Sequence, residues 1–168
     1  MNDITGLLPQ PERRLITTRR EYLDGLALVV GLARRELVIF DPDLAAIDMN
    51  TAERIEQLGA FLAASRDARL RIVVHDADAV RRGCPRLLSL LALHANAIAI
   101  HQTEGEAARA QDCFALADAE HFVRRGVATQ ARGAIGVNDQ REGRQMHERF
   151  EEIWQSSILA ISAKTIGL

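Results

Sequence analysis

The strongest constraint in this chain is a phrase that comes three times: a helical stretch, a short apolar run, then a polar stop. Thr18 with Glu21 forms a capping-box pattern, and Tyr22, Leu26, Val29, Val30 and Ala33 follow at helical spacing. Leu37–Phe40 comes next and halts at Asp41-Pro42-Asp43. Asn50 with Glu53 gives a second capping signal, and Ile55, Leu58, Phe61 and Leu62 share one helical face. Leu70–Val74 then runs into His75-Asp76. Pro85 opens a leucine-rich helix with Asn96 as a left-handed stop, and Ala97–Ile100 halts at His101. Short unbroken apolar runs suit strands covered on both faces. Their alternation with helices predicts a parallel sheet with right-handed crossovers.

The pattern changes after residue 101. Thr103–Ala110 is small and polar, a loop. Cys113–Ala117, His121–Arg124 and Thr129–Val137 read as close-spaced strands, expected to pair antiparallel at the sheet edge. Asp139 and Glu142 cap a last helix whose inner stripe is Met146, Phe150, Ile153, Trp154 and Ser157. The tail Ile158–Leu168 is apolar enough to pack. Residues 1–16, with Pro9 and Pro11, read as an irregular lead-in to a single domain over 17–168.

Composition narrows the function. In 168 residues, 48% hydrophobic and 26% charged, the chain can bury a core without metals or disulfides. A formal net charge of −2 gives no global pull on polyanions, and 4% aromatics leave few rings for base stacking, so nucleic acid is not an expected partner. The two cysteines, Cys84 and Cys113, lack metal-ligand spacing and read as reduced, buried thiols. The start lacks a signal-peptide pattern, and the apolar stretch Leu26–Ala33 is too short to span a bilayer. A cytoplasmic protein without membrane attachment is the expectation.

The strands and helix in Leu70–Asp76 and Leu87–Ile100, and the closing phrase Phe150-Glu-Glu-Ile-Trp154, resemble one half of a phospholipase D-like protein, of bacterial type. The resemblance covers roughly residues 20–157. It implies an α/β, phospholipase D-like sandwich: a mixed, mostly parallel sheet flanked by helices, with antiparallel C-terminal strands. That superfamily carries H-x-K-x-x-x-x-D, and the register that keeps the acid is Gln111 to Asp118. Gln111 stands where the histidine would be, Cys113 stands where the lysine would be, and Asp118 matches. Gly136-Val-Asn138 is similar to the later Gly/Asn turn but lies farther downstream.

The superfamily attacks phosphorus with one histidine, protonates the leaving oxygen with another and neutralises phosphate with lysines. Glutamine has no basic lone pair, and cysteine brings no fixed positive charge. The resemblance therefore implies an inactive homologue, with Gln111, Cys113, Asp118 and Asn138 as positions for ligand binding. It also implies a homodimer, since halves pair across their site faces, with a protein partner or a small anion as ligand. No cofactor is expected.

Two other constellations compete. Asp41-Pro42-Asp43 resembles the strand-end D-x-D of haloacid dehalogenase-like phosphotransferases, which implies phosphate-ester chemistry with a divalent metal. Leu44 and the sole lysine, Lys164, fit that family poorly, and an Asp-Pro-Asp turn explains the residues equally. His75, Asp76, Asp78 and His101 also fall at expected strand ends, where α/β ligands bind, but their spacing fits no compact metal motif. His121, Arg124, Arg125, Arg132, Arg141 and Arg144 form a basic stretch whose alternative reading is an anion or nucleic-acid footprint, but Asp118, Glu120, Asp139, Glu142 and Glu148 among them suit a mixed-charge surface. Phe150 and Trp154 read as core anchors.

Overall fold

The computed structural model describes residues 9–164. The capping chemistry starts three of the helices close to where it was expected. Thr18 accepts from the Glu21 N–H at 3.1 Å and opens α1, Arg19–Leu32. Thr51, one residue after the expected Asn50, caps α2, Ala52–Ala63. Asn50 instead accepts from the N–H of Arg86, in the first turn of α4, Pro85–Leu93. Asp139 accepts from the Glu142 N–H and opens α5, Gln140–Gln155. A short α3, Ala77–Gly83, capped by Asp76, was not expected. The left-handed stop at Asn96 is absent; left-handed non-glycine residues are Leu44, Asp48, Asp118, Ala119 and Asn138.

The strands are β1 (Glu12–Ile16), β2 (Glu36–Asp41), β3 (Arg69–Val74), β4 (Ile98–Thr103), β5 (Cys113–Ala117), β6 (His121–Arg125), β7 (Gly133–Val137) and β8 (Ser157–Ile161). They form one sheet in the order β1-β7-β6-β5-β2-β3-β4-β8. β2 with β3 and β3 with β4 are parallel, as the alternating helices require. The other five pairings are antiparallel, so the sheet is mostly antiparallel rather than mostly parallel. The turns joining β5, β6 and β7 are too short for a crossover helix, and the balance tips further because β1 and β8 add antiparallel edges and β5 sits antiparallel beside β2. The first of these strands is also not at an edge, because β5 lies beside β2 at the centre of the sheet.

Both edges come from segments whose patterning was weak. The lead-in expected to be irregular carries β1 in its described part, paired with β7. The tail supplies β8, paired with β4. Residues 1–8 and 165–168 of the expected domain limits lie outside the described residues. α1 to α4 cover one face over a core that includes Tyr22, Leu26, Leu37, Ile39, Leu70 and Ile72. α5 covers the other through Met146, Phe150 and Ile153, against Val38, Phe40, Val73, Phe114 and Phe122. No described helix is long and apolar enough to cross a membrane.

Candidate functional site

Because β5 runs antiparallel to both β2 and β6, its first residue meets the last residue of each neighbour. Phe114 pairs with Phe40, and Cys113 pairs with Arg125. Asp41, Cys113 and Arg125 thus stand side by side at one end of the sheet, all buried. Tyr22 of α1 roofs the row: its hydroxyl is 3.5 Å from the Cys113 thiol, and the Arg125 guanidinium lies 4.1 Å from its ring centroid. Burial pushes the Cys113 thiol up to about 11 and the Tyr22 phenol well above its ordinary value. Both groups are uncharged at neutral pH.

Asp41 is 4% exposed, and burial raises its carboxyl above the ordinary range, against the pull of two backbone N–H groups. Those bonds run from Leu44 at 2.7 Å and Asp43 at 3.2 Å, both to Oδ2. They hold Leu44 in its left-handed conformation, φ 66°. A cavity of about 460 Å³ opens here, lined by Arg19, Asp41, Pro42, Asp43, Arg125 and the 128–131 loop, with Ala46.

The expected positions divide between the two ends of the sheet. Gln111 is exposed and precedes β5 near this cavity, and Cys113 lies beneath it. Asp118 sits at the far end of β5, roughly 17 Å along the strand from Cys113. There its carboxylate accepts from the N–H groups of Arg34, Arg35 and Glu36 at 2.8–2.9 Å. Asn138 lies at that same far end, its N–H donating to His121 Nδ1 at 3.0 Å. Asp118 and Asn138 therefore shape turns away from the cavity.

The strand-end polar residues are separated too. Asp43 accepts from the Ala45 N–H, and Asp76 caps α3. His75 Nε2 lies 2.9 Å from the Ala110 carbonyl and so carries the proton, leaving Nδ1 to accept from the Thr103 hydroxyl at 2.7 Å. His101 is not a strand stop: β4 runs on to Thr103, and His101 stacks on Trp154 with centroids 3.5 Å apart. Burial and the nearby Arg71 charge lower its pKa. Among the described residues, no three His, Cys, Asp or Glu side chains converge to hold a metal.

Residues 18–165 match a domain of unknown function, DUF7931. The chain belongs to that family. No curated protein matches the chain. Among solved structures it is similar to TrmBL2, an archaeal chromatin protein described as binding DNA in a novel mode: TM-score 0.67, 11% identity, 94% of this chain and 58% of that chain. It is also similar to Nuc of Salmonella typhimurium, a phospholipase D family member (TM-score 0.59, 11% identity, 91% of this chain, 100% of that chain). NucT of Helicobacter pylori gives a TM-score of 0.59 at 10% identity, over 90% of this chain and 100% of that chain. The chain therefore has a phospholipase D-like fold and spans little more than half of the archaeal chain.

Sequence reasoning set Arg125 among surface arginines and Tyr22 among helix core residues. A signal for Arg125 was present: it alternates with Val123, so it points to the α1 side of the sheet.

Proposed function

We propose that this chain is a cytoplasmic, non-hydrolytic member of the phospholipase D-like fold that acts as a binding and self-associating module. The reading rests on the sequence register that sets Gln111 and Cys113 where the superfamily has a phosphate-attacking histidine and a phosphate-binding lysine. A nucleophilic route needs a base within reach of phosphorus and fixed positive charge on the phosphate oxygens. Cys113 is a neutral thiol under Tyr22, and neither histidine nor lysine lines the cavity among the described residues. Four of the five histidine side chains have partners elsewhere, and His94 takes part through its backbone. His75 ties β3 to β4 and the 110 carbonyl, and His101 stacks on Trp154. His121 holds the Asn138 turn, His147 meets Glu36 at 3.0 Å, and His94 ends α4.

The D-x-D reading loses support from the same geometry, since Asp41 and Asp43 spend oxygens on the turn that follows β2. Binding of nucleic acid through the C-terminal arginines has little behind it as well. Of those arginines, Arg124 pairs with Glu142 and Arg125 is buried, which leaves only Arg132, Arg141 and Arg144 exposed for such a contact.

The test is turnover of bis(p-nitrophenyl) phosphate by the full chain, with and without magnesium or manganese. The expected rate is that of buffer alone. Metal-independent release of nitrophenol at the rate of an active phospholipase D-type nuclease would overturn the reading, and metal-dependent release would move it to Asp41 and Asp43.

A further inference from the structure

Among the described residues, three arginine Nε groups are buried without a partner: those of Arg54, Arg124 and Arg125. Arg124 keeps a carboxylate, Glu142, and Arg54 donates to Gln57 Oε1 at 2.9 Å. Arg125 is different. It is 6% exposed, and among the described residues its one side-chain hydrogen bond runs from Nη1 to the Ala128 carbonyl at 3.4 Å, which is long. It forms no ion pair among the described residues, although Asp41 lies two strands away on the same face. The Tyr22 ring compensates part of its lost hydration. A buried charge left this bare costs stability unless something supplies the missing acceptors.

Asp41 is its counterpart. Both N–H bonds fall on Oδ2, and Oδ1 accepts nothing from the described residues. Both side chains line the 460 Å³ cavity, which is within the roughly 300–1,000 Å³ of small-molecule sites. The cavity is electrically balanced: Arg19 and Arg125 face Asp41 and Asp43. A simple anion entering it meets as many carboxylates as guanidiniums. Pro42, Ala46, Ala128 and Ala131 give it a small apolar wall between the charged ends.

We propose that this cavity binds a small zwitterion, its acid group on Arg125 and its ammonium on Asp41, with the short carbon chain against the proline and alanines. The proposal rests on the binding-module reading and names its ligand class. Arg125 supplies the planar donor fork that suits a carboxylate or phosphonate. Asp41 supplies one acceptor already fixed by its turn, so little is lost in ordering it.

The test is isothermal titration of the full chain with glycine, γ-aminobutyrate and ε-aminocaproate, beside butyrate, butylamine and inorganic phosphate. At least one ω-amino acid should bind at least about tenfold more tightly than every single-ended compound, the ratio that 1.4 kcal/mol sets. Arg125→Met and Asp41→Asn should each lose about that factor, while Arg144→Met on the exposed face of α5 should not. Arg125→Lys, which keeps the charge, separates lost recognition from lost folding. The proposal is overturned if butyrate or phosphate binds as tightly as the best zwitterion. It is equally overturned if Arg125→Met binds unchanged, or if no ω-amino acid binds at millimolar concentration. None of those results touches the phosphodiester assay, so the ligand class can fail while the non-hydrolytic reading stands.

Discussion

At the scale of single residues, two aspartates show how one side chain type divides its labour. Asp118 fits the sequence motif and turns out to clamp three backbone N–H groups between α1 and β2. Asp41 looked like a turn residue; it is one, and it also reaches the cavity. Its ionisation carries a pH signature. The folded-state pKa is raised, chiefly by burial, so the folded state holds the proton more tightly than the unfolded chain does. Stability from this group is present at low pH and falls as pH rises through the folded pKa. Asp41→Asn removes that dependence while its amide oxygen can still accept the turn's N–H groups. Urea unfolding of both proteins should therefore show the variant gaining on the parent as pH rises above the ordinary Asp pKa of about 3.9, with the gain levelling off once the folded-state carboxyl has ionised. A difference that stays flat, or shrinks, over that range would mean that Asp41 titrates as it does in the unfolded chain.

At the scale of elements, what could be read in the sequence follows from what patterning encodes. The β2–β3–β4 core was legible because strands buried on both faces write themselves as unbroken apolar runs. β1 was not, since Ile16 alone of its five residues is buried and Glu12, Arg13 and Arg14 face solvent. Nor does periodicity name a strand's neighbours, which is why β5 was expected at an edge and the site row Asp41–Cys113–Arg125 was invisible. The turn holding Asp118 and Ala119, both at positive φ, could have been suspected from the residues but not its fit against α5. Gly143 in the first turns of that helix passes so close that a methyl group there would overlap the Ala119 carbonyl oxygen. Gly143→Ala should therefore destabilise the fold by about 1–3 kcal/mol, although alanine is the better helix former. Equilibrium unfolding in urea reads this directly. A neutral or stabilising result would show that α5 and the 118–120 turn part readily.

At the scale of the molecule, the two edges of the sheet are unlike, and that difference bears on where the proposed self-association would take place. β1 presents Glu12, Arg13 and Arg14, and Arg13 is pinned by Glu142, so charge guards that edge against pairing. β8 reads Ser-Ile-Leu-Ala-Ile, without a charge of its own, although Arg81 of α3 donates to its Ala160 carbonyl, and it leaves Ile158 46% and Leu159 55% exposed. An uncharged edge strand with exposed branched side chains invites a second copy of itself. An antiparallel β8–β8 contact about a two-fold axis would satisfy both backbones at once and continue the sheet across the dimer. Its far position from the Arg125 cavity leaves that site open in each copy. Leu159→Lys places a charge in the middle of this contact and, on itself, across the axis from a like charge. Sedimentation equilibrium should find the parent chain as a dimer at high micromolar concentration and the variant as a monomer with unchanged circular dichroism. A parent chain that sediments as a monomer there would remove the dimer, and a variant that stays dimeric would move the contact to another face.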